Sequence, residues 1–154
     1  MLLSSGVIYD LTGDGSPESV FIRDSILYIY SGNKMLYKSV PEMGGSLSFL
    51  TCDVDPSNIN PQPATVSIEV SPIAVDGDGI LELFVVESRK SLLGEIGTAP
   101  GIEKCNLKMI DYKQGRFVAQ SIGDETGLAI QGLFYTENHL LTIGTMATGY
   151  NVDN

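Results

Sequence analysis

The chain is poor in histidine, cysteine and positive charge. His139 is its one imidazole, and Cys52 and Cys105 are its two thiols, in 154 residues. Zinc sites take several such ligands, and two cysteines this far apart form neither a CxxC pair nor a zinc-type cluster. They read as two buried free thiols, with a disulfide as the alternative. A Ser–His or Cys–His centre is equally hard to build, because His139 stands beside apolar "LLTIG" with no serine or cysteine motif around it. Nine Lys and Arg against nineteen Asp and Glu leave a formal net charge of −10. Phosphate backbones and anionic membranes are bound through clustered cations, so the balance argues against both as partners and suits a cation. No apolar run approaches the ~20 residues that span a bilayer. The start, "MLLSSGVIYD", lacks the basic n-region of a signal peptide. Neither a P-loop nor a GxGxxG is present.

Apolar residues make up 43% of the chain and charged ones 18%, which predicts one globular domain with a real core. Its patterning is all-β. "SVFIR" (19–23) is short and dominated by strand formers, and "ILYIYSGNKMLYKS" (26–39) gives two runs around the turn residues "SGNK". "LKMIDYKQGRFVAQS" (107–121) repeats that form around "KQG". Further strands are expected at 46–53, 65–73, 82–88 and 140–146. "DPSNINPQPA" (55–64), with its three prolines, reads as a loop, and only "KSLLGEIG" (90–97) has room for a turn or two of helix.

An internal repeat organises the chain. A shift of 64 residues lays Thr12, Asp14, Gly15 and Glu18 over Asp76, Asp78, Gly79 and Glu82. An apolar strand and then a hairpin follow in both places. Units of approximately 1–64 and 65–121 result, with a degenerate third over 122–154 in which Asp124, Glu125 and Gly127 are the remains of the acidic loop. A period near 60 residues with about four strands is what one propeller blade requires.

The loop "YDLTGDGSPE" (9–18) places oxygen-bearing side chains at alternate positions, Asp10, Thr12 and Asp14. Gly15 then allows a sharp bend, Ser16 can offer its carbonyl, and Glu18 closes the set. A hard cation such as Ca²⁺ takes six to eight oxygens of this kind. An EF-hand is excluded, because its bidentate Glu would fall on Phe21 or Val85, both within strands.

"DLTGDGSPESVFI" and "AVDGDGILELFVV" resemble the DxDxDGxxD-type calcium loops of FG-GAP (VCBS) repeats, the blades of integrin-α-like β-propellers. The resemblance covers residues 9–39 and 74–121 well and 121–146 weakly. It implies an all-β fold of antiparallel sheets, as about two and a half blades of a partial propeller, and structural Ca²⁺ held by Asp10, Thr12, Asp14, the Ser16 carbonyl and Glu18. A second site would use Asp76, Asp78, the Ile80 carbonyl and Glu82. Thr12 replaces an acid in the first loop, and Ala74 falls at the leading position of the second, so the first is expected to bind more tightly. A degenerate loop could instead keep its shape without metal, through carboxylates accepting backbone amides in Asx-turns.

The resemblance further implies a non-enzymatic module of a surface or secreted protein that recognises a protein or glycan. The rival is an accessory module of a secreted carbohydrate-active enzyme, and the third reading is a structural domain that has lost its calcium. Converging carboxylate pairs of glycosidase type stay open, although the well-spaced acids suit the calcium loops better. Asp53, Asp55, Asp124 and Glu125 read as solvated. Tyr28, Tyr30 and Tyr37 read as core or sheet surface before a sugar platform. Too few blades to close a ring leave sheet edges exposed, so the chain is expected either to be part of a larger propeller or to self-associate through those edges.

Overall fold

A computed structural model describes residues 6–44, 48–52, 64–77, 79–90, 102–136 and 139–145, and among them every element is a strand. β1 (Gly6–Tyr9), β2 (Glu18–Arg23), β3 (Ile26–Ser31) and β4 (Lys34–Lys38) form a four-stranded antiparallel meander in chain order. A hairpin of β5 (Ser48–Cys52) and β6 (Ala64–Ile68) follows. β7 (Ile73–Asp76), β8 (Leu81–Lys90), β9 (Ile102–Lys113) and β10 (Arg116–Thr126) form a second meander of the same kind. A last hairpin joins β11 (Ala129–Thr136) to β12 (His139–Thr145). No helix among the described residues is long and apolar enough to cross a membrane. The helical turns expected at 90–97 fall almost wholly outside the described residues, as does most of the proline-rich 55–64.

Turn chemistry explains the hairpins. The β9–β10 turn is Gln114–Gly115, with φ of 52° and 80°, and β2 turns into β3 through Asp24–Ser25, with φ of 53° and 59°. Two successive left-handed residues match the right-handed twist of the strands they join, as a type I′ turn does.

The two sheets share one core. Val20, Ile22, Leu27 and Ile29 of the first sheet meet Leu83, Val85, Ile110 and Phe117 of the second. The opposite face of the second sheet, with Phe84, Val86, Cys105 and Leu107, packs against Ile130 and Leu133 of β11. This double burial accounts for the unbroken apolar run "LFVV": a strand covered on both faces does not alternate. β2, covered on one face, does alternate, with Glu18, Val20 and Ile22 buried and Ser19 and Arg23 exposed.

Register fixes how the sheets correspond. Glu18 lies opposite Tyr9, and Glu82 opposite Val75, in the first strand pair of each sheet. Val20 and Ile22 therefore match Phe84 and Val86, while Ser19 and Phe21 match Leu83 and Val85. Both sheets turn the first of these faces toward the next element. The second face is covered by the preceding sheet in the second sheet, and in the first it has no preceding sheet among the described residues. The stacking is head-to-tail.

A short link ties the sheets together. The Met43 N–H donates to the Ser25 carbonyl (2.9 Å), the Gly44 N–H to Val86 (2.7 Å) and the Ser88 N–H to Glu42 (2.7 Å). Residues 42–44 thus pair with the half of β8 that short β7 leaves open, so that a sheet edge which would otherwise be bare is covered.

Candidate functional site

Both acidic loops join the first strand of a sheet to its second. In the first, the Asp10 carboxylate accepts the Gly13 N–H on Oδ1 and the Gly15 N–H on Oδ2, each at 2.9 Å. Asp14 Oδ1 accepts the Ser16 N–H at 2.8 Å, an Asx-turn. Gly13 and Gly15 have φ of 72° and 85°, a left-handed backbone that lets both amides face the same carboxylate. Glu18, fully buried at the start of β2, reaches back under the loop. Its Oε2 accepts the Leu11 N–H at 2.8 Å and the Thr12 N–H at 3.2 Å, and the Thr12 hydroxyl lies 3.5 Å from Oε1.

The second loop repeats the scheme in fewer residues. Asp76 Oδ1 accepts the Gly79 N–H at 2.7 Å, and Glu82 Oε2 accepts the Gly77 N–H at 3.2 Å. Asp76 therefore matches Asp10, with the same carboxylate-to-third-amide bond, and not Thr12 as the 64-residue shift has it. Ala74 is a β7 residue opposite Leu83, packed on the core, and not the leading loop position. Glu18 follows Asp10 by eight positions and Glu82 follows Asp76 by six, so the second loop is shorter by two and keeps its leading acid. The signal was in the sequence: aligning "ESVFI" with "ELFVV" and counting back to the last acid before each loop separates the two lengths. Ile80 is exposed, and Asp78 lies outside the described residues.

The donor set of the first loop, the carboxylates of Asp10, Asp14 and Glu18, the Thr12 hydroxyl and the Ser16 carbonyl, is all oxygen and suits a hard cation. Each carboxylate oxygen has two lone pairs. Asp10 uses one per oxygen on amides, whereas Glu18 Oε2 uses both of its own. Among the described residues no three His, Cys, Asp or Glu side chains converge as a ready-made metal cage.

The remaining candidates are dispersed. Asp124 and Glu125 lie within β10 rather than in a loop, so the third acidic stretch is strand. Glu125 pairs with Lys104 at 2.7 Å, and that hydrogen bond and charge hold its carboxyl below the usual range. Cys105 is a buried free thiol with its Sγ 3.0 Å from Ser88 Oγ. The side chain of Cys52, like Asp53 and Asp55, lies outside the described residues. His139 is exposed at the start of β12. Tyr37 meets Phe117 edge-on at 6.0 Å between the sheets, while Tyr28 and Tyr30 stack with Phe21 on the open face of the first sheet.

No family model, curated protein or solved structure matches the chain.

Proposed function

We propose that this chain is a non-enzymatic repeat module of the propeller-blade kind, braced by calcium at its first acidic loop, and that it serves protein or glycan recognition on a surface or secreted protein. One observation carries the reading: two meanders stacked in the same sense bear the same Asp-and-Glu loop at the same strand junction. Repetition of a loop together with its hydrogen bonds, at two lengths, points to a device kept for the loop's shape rather than to chance acidity. Asp10 and Asp14, with the Thr12 hydroxyl and Ser16 carbonyl, would hold the ion. Glu18, its Oε2 already shared by two amides, would brace the loop from beneath. Weak sites of this type fill where calcium is abundant, which agrees with an extracytoplasmic setting.

Thermal unfolding with excess Ca²⁺ and with EGTA tests the reading. A ligand bound only to the folded state at a hundred times its Kd contributes about 2.7 kcal/mol, or roughly 5–10 °C for a chain this size. The expected result is a rise of that order that Asp14→Asn abolishes. An identical midpoint in both buffers removes calcium from the proposal and leaves the loops as amide-braced turns.

A further inference from the structure

Two faces of the stack have no neighbour among the described residues. The first sheet turns outward Phe21, Tyr28 and Tyr30, with ring centroids 5.4 and 5.7 Å apart and planes nearly parallel. Ile8, opposite Ser19, and Met35, opposite Tyr30, share that face and are 69% and 50% exposed. At the other end, the last hairpin turns outward Phe134 and its cross-strand partner Leu141, together with Ile143, at 54%, 49% and 53% exposure. Arg23 and Lys38 flank the aromatic face, the Lys38 Nζ lying 5.8 Å from the Tyr28 ring centroid, and exposed apolar side chains grouped on one face in this way mark an interaction site.

The internal packing says what kind of surface fits each face. The counterpart of the Phe21 face in the second sheet is the Leu83–Val85 face, which is covered by the Val20–Ile22 face of the first. The second sheet in turn covers β11 with its own Phe84–Val86 face, and the outer face of the hairpin continues that series. Twice within the chain, then, a face of the hairpin's outward type closes on a face of the Phe21 type. Among the described residues, a single copy carries one open face of each type.

We propose that a second copy of this chain supplies the missing neighbour, with the outer face of the β11–β12 hairpin of one copy stacked on the Phe21–Tyr28–Tyr30 face of the next. The contact is face-to-face, not the edge pairing expected from the sequence, and it is heterologous, so it closes a ring or extends as an array. It rests on the stacking sense of the sheets and not on calcium.

Sedimentation equilibrium of the 154-residue chain across the micromolar range, in Ca²⁺ and in EGTA, tests it. The wild-type chain should self-associate in both buffers. Met35→Lys should block one face and Leu141→Lys the other, each giving a folded monomer by circular dichroism. An equimolar mixture of the two retains one intact interface and should form 1:1 dimers and nothing larger. Ile8→Lys and Ile143→Lys, also at exposed positions, serve as the second pair should either first variant unfold. A wild-type chain that stays monomeric, or folded variants that fail to pair when mixed, overturns the proposal. A change in tyrosine emission on adding a neutral oligosaccharide to such a monomer would assign the aromatic face to a sugar instead.

Discussion

Glu18 and Leu11 are seven positions apart and joined inside the first sheet: the Glu18 Oε2 accepts the Leu11 N–H at 2.8 Å, and both residues are buried. A buried carboxylate is costly unless its oxygens are hydrogen-bonded, and here the loop amides supply the bonds. Glu18→Gln keeps the volume and can leave its carbonyl oxygen facing both amides, but it removes the charge and sets an NH2 at the Oε1 position beside the Thr12 hydroxyl. Urea unfolding should show a loss of about 1–1.5 kcal/mol, the difference between hydrogen bonds to a charged and to a neutral acceptor. Glu82→Gln should cost less, because Glu82 is only partly buried and accepts the Gly77 N–H at a longer 3.2 Å. Equal losses would remove the distinction drawn between the two loops.

The strands around these loops were legible because each carries its own local signal. β2 alternates, "SGNK" and "KQG" mark turns, and the apolar run of β8 is bounded by glycines on one side. The correspondence of the loops was less legible. A constant shift of 64 matches Glu18 to Glu82 but not Asp10 to Asp76, since a two-residue deletion between them changes no residue type. β10 ran past its expected end at residue 121 to Thr126, because the register slips between Ile122 and Thr126 and no proline or paired glycine stops it. The strap at 42–44 left no sequence signal beyond Gly44, as its bonds are made by backbone groups that every residue has.

The β9–β10 turn offers a gain. Gln114 holds φ of 52°, a left-handed backbone in which Asn is several-fold enriched over other non-glycine residues. Gln114→Asn creates Asn-Gly, the preferred pair for this turn. Denaturant unfolding should give an increase of a few tenths to about 1 kcal/mol, in the range of favourable backbone substitutions. A loss would mean that the Gln114 side chain contributes contacts of its own.

Alkaline pH should act through Tyr37. Burial between the sheets, and then the negative field of Glu87, push its hydroxyl above the ordinary 10.0. The fold thus favours the neutral phenol. Stability from this group is fully present below pH 10.0 and is lost as pH climbs through the raised folded value. Difference titration of tyrosinate absorbance between wild type and Tyr37→Phe should show the missing tyrosine titrating above 10.0. Glu87→Gln should move that titration partway back. A difference curve centred at or below 10.0 would contradict the placement of Tyr37 between the sheets.

Gly44 is the position where the strap has least freedom. Its φ is 79°, and a Cβ placed there would stand 2.8 Å from Ile22 Cδ1 and 3.0 Å from Cγ2. Ile22 is fully buried in the shared core, so it has little room to give. The Gly44 N–H and carbonyl meanwhile bond Val86 and Val70, which fixes the backbone on both sides. Left-handed backbone costs a non-glycine residue about 1–2 kcal/mol, and overpacking a core adds about 1–3. Gly44→Ala should therefore lose about 2–5 kcal/mol in denaturant unfolding. Gly13, at φ of 72° with nothing within 4 Å of its would-be Cβ, isolates the backbone part of that cost. Gly13→Ala should lose only about 1–2 kcal/mol. The difference between the two is the steric contribution of Ile22, and Ile22→Val in the Gly44→Ala background should recover part of it by removing the Cδ1 methyl. If Gly44→Ala costs no more than Gly13→Ala, Ile22 or the strap gives way to the added methyl, and residue 44 is not held rigidly against the core.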